Sequence, residues 1–193
     1  IPVWGTLYLF GQDTTIKTWN NLKGKRIYLM AKGMTPDVLF RQLLIKNDID
    51  PEKDVKLDYS FPTHIDLANA VASGQAKLGV ISEPMVSLVA QKNKQVQPVF
   101  DLNNEWQKKY PDTPIAQTAM LVKSKFAKNN RKDVDQIIQL YKKSSIWVNQ
   151  NHNKAAELIV KHKILPNTEV AKSSIPRSNL NFVEAKNIEK EIG

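Results

Sequence analysis

The sequence predicts an α/β fold in which a parallel or mixed sheet carries helices on both faces. Short apolar runs of strand type alternate with segments of helical periodicity from residue 26 to residue 100. Proline, glycine, asparagine and threonine stand at the predicted boundaries, where turns and helix caps require them. Because strands that alternate with helices pair in parallel, residues 24–111 are predicted to form one complete α/β lobe.

The predicted elements of this lobe follow the chain in strict alternation. Thr35 is predicted as the N-cap of the first helix, with Pro36 in its first turn. Thr63 and Asp66 resemble a capping box at the start of the second helix. The full prediction is strands at 26–31, 55–59, 78–81 and 96–100, and helices at 36–46, 63–73 and 84–92.

The two ends of the chain are predicted to belong to a different lobe. Residues 1–10 are apolar and aromatic and predict one buried strand, within a strand-and-connector segment over residues 1–23. Because the chain begins with Ile1 rather than Met, we expect it to be part of a longer protein. Residues 112–193 are expected to be the returning strand and helices of an incomplete first lobe. Their predicted elements are a strand at 117–123 and helices at 132–150, 154–163 and 184–192. A further helix is predicted at 103–110, at the end of the α/β lobe.

The C-terminal part has few predicted strands, so its helices have little sheet surface on which to bury their apolar faces. We therefore expect apolar surface to remain open on residues 115–193, with self-association of the chain as a consequence.

Composition excludes several classes of function. The chain has no cysteine, which excludes disulfides, thiolate nucleophiles and zinc–sulfur sites. Its net charge is +9, but the lysines are scattered along predicted helices without interleaved aromatic residues, so no nucleic-acid partner is predicted. No apolar run approaches the ~20 residues that a membrane-spanning helix needs.

Three predicted loops are expected to lie side by side at one edge of the sheet. Each follows a parallel strand, and such loops emerge on the same side. We predict that a polar ligand is held there by backbone N–H groups and by four hydroxyls, those of Thr35, Ser60, Thr63 and Ser82. Glu83 would suit a cationic group of the ligand. The alternative interpretation is that these residues only cap helices, since caps use the same residue types.

The binding free energy that one sheet edge can supply is too small for tight binding. A helix N-terminus stabilises an anion by about 0.3 to 1 kcal/mol, whereas micromolar binding needs about 8 kcal/mol. We therefore expect a cleft in which a second lobe covers the ligand. The sequence contains no GxxxxGK[ST], HExxH or GxSxG motif, and its three histidines predict no metal site and no cofactor.

The order and spacing of several segments resemble the substrate-binding proteins of ABC importers in the nitrate, sulfonate, taurine and thiamine-precursor group. The resemblance implies a type II periplasmic-binding-protein fold, with two α/β lobes and a ligand between them. Members begin with about half of the first lobe, and the resemblance implies that this part is missing here. The resemblance also implies ligand contact at Gly33, Met34, Thr35, Pro36, Ser82 and Glu83. The segments that carry it are VWGTLYL, LKGKRIYL with KGMTPDVLFRQLL, GQAKLGVISEP, DLNNEW, SSIWVNQNHNKAAELI and SSIPRSNLNFV.

The resemblance implies a protein that captures a small polar solute, anionic or heterocyclic, and delivers it to a membrane permease without catalysis. It further implies an extracytoplasmic location, in the periplasm or at the cell surface, with anchoring through an absent N-terminus. One alternative is an enzyme on the same fold, of the menaquinone or pyrimidine-precursor type, for which only His64 and Glu83 are placed as acid or base. Another is the effector-binding domain of a transcriptional regulator, which a helix-turn-helix upstream would favour.

Overall fold

The computed structural model describes residues 3–188, which fall into two units. The α/β unit is Thr6–Asp112, and the helical unit combines Ile1–Gly5 with Thr113–Gly193. The predicted strand over 1–10 and the predicted helix over 184–192 each extend into residues that lie outside the described ones.

The α/β unit contains a five-stranded mixed sheet. Its strands lie in the order β4-β3-β5-β2-β6. β2 is antiparallel to both of its neighbours, whereas β3 is parallel to β4 and to β5. Four strands therefore point the same way, and their carboxyl ends share one edge. The bounds are β1 Val3–Trp4 in the helical unit, then β2 Leu7–Gly11, β3 Arg26–Leu29, β4 Lys56–Asp58, β5 Leu78–Ser82 and β6 Gln97–Asp101.

Four helices cover the two faces of this sheet, and each follows one of the four parallel strands. They are α1 Thr35–Ile45, α2 His64–Ala72, α3 Met85–Lys92 and α4 Leu102–Lys109. Tyr8 and Ile81 pair across β2 and β5 and pack with α2 and α3 in one buried cluster. Directly opposite residues share a face and successive ones alternate, so Leu7 and Ser82 face the side that carries α1 and α4. The predicted α/β fold is confirmed.

The N-terminal strand differs from the prediction. Residues 3–11 form two strands, because Gly5 adopts a positive φ of 60° and redirects the chain. β1 pairs with the helical unit, whereas β2 is an inner strand of the α/β sheet. The predicted polar connector also contains a 3₁₀ helix at Trp19–Leu22, whose Trp19 ring stacks on Phe100 with centroids 5.0 Å apart.

The described part of the helical unit, residues 3–5 and 113–188, has one small sheet and four α-helices. β1 pairs antiparallel with β7, Ala116–Thr118, so the predicted strand over 117–123 is shorter than expected. The helices are α5 Ser124–Asn129, α6 Arg131–Gln150, α7 His152–Lys161 and α8 Thr168–Ser174, followed by 3₁₀ turns at Ile175–Arg177 and Ala185–Asn187. α5 and α8 were not predicted, because neither is long enough to show a helical period. No helix among the described residues has the length and apolarity needed to cross a bilayer.

The expected open apolar surface is present on the helical unit. Of the 20 residues of α6, all of them described, only Ser145 is buried. Leu121 is 93% exposed and Leu140 is 64% exposed. Other exposed apolar side chains on this unit are Phe126, Ile137, Ile146, Trp147, Leu158 and Ile164. A surface of this kind in a soluble protein marks an interaction site or favours association.

Self-association through this surface is a prediction. Sedimentation velocity of the chain is expected to show a mean mass that rises with concentration. Two copies that pack through this surface remove its apolar area from contact with water, which favours association. Leu140→Asp should shift the distribution toward monomer, and Gln139→Asp, an exposed neighbour on the same helix, should not. A mass equal to one chain at every concentration would contradict the prediction.

Candidate functional site

The three predicted loops, residues 33–36, 60–63 and 82–84, lie at the carboxyl edge of the sheet, which we call the rim. Tyr28 pairs with both Asp58 and Gly79, so β3, β4 and β5 end at a similar level. β2 starts at the same edge, where the backbone N–H of Glu83 donates to the carbonyl of Thr6 at 3.0 Å. The sheet register thus brings the predicted ligand-binding residues to one side of the α/β unit.

The helix that follows the first rim loop has a different N-cap from the one predicted. Met34, with φ −85° and ψ 167°, is the N-cap of α1, and Thr35 is the first helical residue rather than the cap. The reason is Asp37, whose Oδ2 accepts the backbone N–H of Gly33 at 2.7 Å and so takes the part that a capping side chain plays. The exposed Thr35 hydroxyl and its backbone N–H have no hydrogen-bond partner within residues 3–188. Both groups are available to a ligand.

Asp37 lies at the centre of a buried hydrogen-bond network under this loop. Its side chain is 2% exposed, and its Oδ1 accepts from Arg41 Nε at 2.8 Å and from the Tyr59 hydroxyl at 2.7 Å. Arg41 Nη2 in turn donates to the Tyr59 oxygen at 2.9 Å, and its Nη1 pairs with Glu52. Three donors on one carboxylate fix the position of Gly33 relative to the end of β4.

The electrostatics of Asp37 follow from these contacts. Burial acts to raise the pKa of this carboxyl, but the hydrogen bonds from Gly33, Tyr59 and Arg41 outweigh it and hold the pKa below its ordinary value. The place of Asp37 in the first turn of α1 also suits the positive end of the helix, which by itself would not reveal the network. The i, i+4 spacing of Asp37 and Arg41 was the signal that could have revealed the pair.

The hydroxyls of the second rim loop are engaged within the chain. Ser60 Oγ donates to Asp58 Oδ1, and the Ser60 N–H donates to the same oxygen at 3.0 Å. Thr63 caps α2 by accepting the Asp66 N–H at 3.1 Å, and its hydroxyl donates to Asp66 Oδ2 at 2.6 Å. Thr63 is therefore the N-cap of α2, but Asp66 accepts from the Thr63 hydroxyl and not from its backbone N–H, so the reciprocal bond of a capping box is not formed. Ser60 caps no helix, because Asp58 engages both its hydroxyl and its N–H.

The third rim loop contains one free hydroxyl and one engaged carboxylate. Ser82 is only 6% exposed, yet its hydroxyl has no partner in the described part of the chain. Glu83 is 7% exposed; its Oε2 accepts the Ser87 N–H at 3.1 Å and its Oε1 accepts the Ser87 hydroxyl at 3.0 Å. Glu83 therefore holds the first turn of α3, as the helix-start interpretation expected. The Glu83–Pro84 peptide is cis, and Pro84 precedes the helix instead of lying within it.

The histidines do not assemble a reactive site. His64 is the first residue of α2, and burial lowers its pKa, so the ring is neutral at pH 7. His152 lies on α7 and His162 directly follows it. Among residues 3–188 no three His, Cys, Asp or Glu side chains lie close enough together to hold a metal ion.

Two residues of the first and third rim loops keep polar groups without a partner among residues 3–188. They are Thr35, with its hydroxyl and N–H, and Ser82, with its hydroxyl; the apolar Met34 side chain, next to Thr35 in the chain, is 57% exposed. These groups can hold a ligand by hydrogen bonds and by the partial positive charge of the helix N-terminus.

Comparison with known proteins places the chain in a family. Residues 4–160 match the family described as "ABC transporter, phosphonate, periplasmic substrate-binding protein". The putative binding protein YtlA of Bacillus subtilis is 27% identical over 149 residues, which are 77% of this chain and 42% of YtlA.

Solved structures support the same fold. An ABC transporter protein from Parabacteroides distasonis superimposes with a TM-score of 0.78 at 23% identity, over 99% of this chain and 62% of that one. The periplasmic aliphatic sulphonate binding protein SsuA of Escherichia coli gives a TM-score of 0.70 at 17% identity, with the same two coverages. The chain thus spans about three fifths of these structures and about two fifths of YtlA. The match over residues 4–160 shows that the chain belongs to the family of phosphonate-type periplasmic substrate-binding proteins of ABC transporters.

Proposed function

We propose that this chain is part of an extracytoplasmic solute-binding protein of an ABC importer. It captures a small polar solute, anionic or heterocyclic, at the rim of the α/β unit, and the protein delivers the solute to a permease in the membrane. The observation that carries the proposal is the unengaged polar groups of Thr35 and Ser82 at the carboxyl edge of the sheet. Open α/β sheets bind ligands at this edge.

The free groups on the rim are suited to a solute with a polar head. The Thr35 N–H and hydroxyl can both donate to an oxyanion, and the N-terminus of α1 adds favourable potential. The family description names phosphonate and the Escherichia coli neighbour binds aliphatic sulphonates, which supports an organic oxyanion as the first class to test. A heterocycle that accepts the same hydrogen bonds is the second class.

We propose binding without catalysis because the groups that an acid–base enzyme would use are occupied or unsuited. Both carboxylate oxygens of Glu83 accept hydrogen bonds from Ser87. The pKa of His64 is lowered by burial, and no carboxylate contributes to the shift. Neither arrangement favours proton transfer to a substrate on the rim.

The test is calorimetric titration with methylphosphonate, methanesulfonate and 4-amino-5-hydroxymethyl-2-methylpyrimidine. At least one should bind. Thr35→Ala and Ser82→Ala are each expected to weaken it by about fivefold, the effect of one hydrogen bond of about 1 kcal/mol. Ser73→Ala is the control, because Ser73 lies at the opposite end of α2 from the rim and its hydroxyl donates to the carbonyl of Ala70 at 3.1 Å.

The outcomes separate binding at the rim from binding elsewhere. Equal affinity in the wild type and in both rim variants would contradict the assignment of Thr35 and Ser82. Failure of every probe to bind would contradict the proposed solute classes.

A further inference from the structure

Residues 119–132, which we call the basic segment, combine exposed apolar side chains with positive charge. The sequence of the segment is AMLVKSKFAKNNRK. It begins after β7, contains α5 and ends in the first turn of α6. Leu121 is 93% exposed and Phe126 is 47% exposed, and Met120 and Val122 are exposed as well. The segment thus presents apolar side chains to water within a run of cations.

The charge of the basic segment is of one sign. Between residues 113 and 132 the sequence contains five basic residues and no aspartate or glutamate. Arg131 pairs with Asp135 at 3.6 Å. The other four cations are exposed and form no ion pair within residues 3–188; they are Lys123, Lys125, Lys128 and Lys132. The segment therefore has no carboxylate of its own to cancel its positive potential.

The apolar side chains of the segment contribute little to the core of the helical unit. None of the six residues of α5 is buried. Phe126 lies in this helix between Lys125 and Lys128, and Leu121 and Val122 directly precede the lysine that begins the helix as its N-cap. Large apolar side chains exposed next to lysines are typical of segments that bind at a membrane surface.

An anionic bilayer matches both features of the segment. Lysines near such a surface are attracted by the lipid phosphates, and apolar side chains beside them enter the boundary between headgroups and acyl chains. A nucleic acid would match the charge, but Phe126 is the only aromatic side chain of the segment that could stack on bases. A second copy of the chain would bring the same positive charge to this surface, so repulsion disfavours it here.

We propose that the basic segment docks the protein on a bilayer surface that contains anionic phospholipid. The four unpaired lysines contact the lipid phosphates, while Leu121, Val122 and Phe126 insert among the headgroups. The contact is peripheral and reversible, and salt weakens it because the lysines remain close to water. It does not involve the rim, so it stands or falls independently of the proposed solute binding.

The test is co-sedimentation of the chain with two kinds of vesicle, phosphatidylcholine alone and an equal mixture of phosphatidylcholine and phosphatidylglycerol. Binding to the mixed vesicles is expected to be at least about a hundredfold tighter, because each lysine near an anionic surface contributes about fivefold. High salt should remove most of this difference. Lys125→Gln and Lys128→Gln should each weaken binding to the mixed vesicles by about fivefold.

Apolar substitutions distinguish a bilayer from other polyanions. Leu121→Ser and Phe126→Ser keep the charge of the segment. Each should weaken binding to the mixed vesicles by about tenfold, since a large apolar side chain no longer leaves water on docking. Neither should change the affinity of the chain for heparin, which offers negative charge without an apolar interior.

Exposed side chains elsewhere on the helical unit provide matched controls. Lys154 is exposed on α7, and Ile164, 69% exposed, follows that helix. Lys154→Gln and Ile164→Ser make the corresponding changes outside the basic segment, so each should alter vesicle binding by less than about twofold. All the substituted side chains are exposed, so the variants should fold like the wild type, which circular dichroism checks.

Equal binding to the neutral and the mixed vesicles would contradict the role of the lysines. Wild-type affinity of Leu121→Ser and Phe126→Ser for the mixed vesicles would contradict insertion, and would indicate a surface for polyanions such as nucleic acid instead. Losses in Lys154→Gln or Ile164→Ser as large as those in the segment would also overturn the proposal, because the contact would then lie elsewhere on the helical unit.

Discussion

Replacement of Asp37 by alanine is expected to lower the free energy of unfolding of the α/β unit by about 3 kcal/mol, because it removes the common acceptor of a buried network. The Gly33 N–H, the Arg41 guanidinium and the Tyr59 hydroxyl would lose a partner together. Arg41 would keep Glu52, so the loss falls at the lower end of the range for a broken buried pair. Urea unfolding followed by circular dichroism measures the change.

A matched surface pair provides the control for this prediction. Arg131 and Asp135 also form an i, i+4 ion pair, at 3.6 Å, but their side chains are mostly exposed. Asp135→Ala should therefore change the free energy of unfolding by less than about 0.5 kcal/mol. Equal effects of the two substitutions would contradict the structural role assigned to Asp37.

The pH dependence of stability has a definite sign for Asp37. Its pKa is lowered in the folded state, so its charged form contributes stability above the unfolded-state pKa of about 3.9. That contribution is lost as the pH falls through the lower, folded-state pKa. The stability difference between the wild type and Asp37→Asn is accordingly expected to be largest near pH 7 and to shrink below about pH 4.

Gly33→Val is expected to weaken solute binding by about a hundredfold while the α/β unit stays folded. Gly33 has a φ of +79°, a conformation that β-branched residues avoid, and no heavy atom beyond its two chain neighbours lies within 4 Å of a Cβ placed there. The strain, about 1 to 3 kcal/mol, would change the loop conformation instead of causing a clash in the core. Both donor groups of Thr35 would then be misplaced, and two hydrogen bonds of about 1 to 1.5 kcal/mol each account for the predicted loss.

Gly24 provides a matched control for Gly33. It has a φ of +77° and equally open surroundings, but it precedes β3 and so lies at the sheet edge away from the rim. Gly24→Val should cost similar stability and leave the affinity for the solute unchanged. Retained affinity in Gly33→Val, or equal loss in both variants, would contradict the assignment of the first rim loop.

The sequence was sufficient to predict the α/β unit because each strand and helix there carries its own local signal. The runs at 26–31 and 78–81 are apolar enough to predict buried strands, and Pro36 and Thr63 mark helix starts at which the structure begins α1 and α2. Residues 3–11 were harder, because a glycine inside an apolar run is compatible with one strand or with two. Only the tertiary pairing distinguishes them, and it assigns β1 and β2 to different sheets.

The rim could be placed from the sequence, but the state of its polar groups could not. The three loops lie on one edge because the strands that precede them are parallel, and this placement does not depend on the loop side chains. Whether a hydroxyl is free depends on neighbours that are distant in sequence or on local rotamers, as Asp58 engages Ser60 and Ser87 engages Glu83. The pairing of Tyr59 with Asp37, 22 residues away, had no local signal. The packing of α4 against α1, in which Gln42 donates to the Tyr110 hydroxyl, had no local signal either.

The most direct test of the rim as the solute site is an amide NMR titration of the chain with whichever probe, methylphosphonate, methanesulfonate or the pyrimidine, binds by calorimetry. The account predicts the largest chemical-shift changes at the Thr35 and Ser82 amides. Changes confined to the helical unit, for example at the cavity of about 690 Å³ lined by Leu140, Trp147 and Ile159, would contradict it.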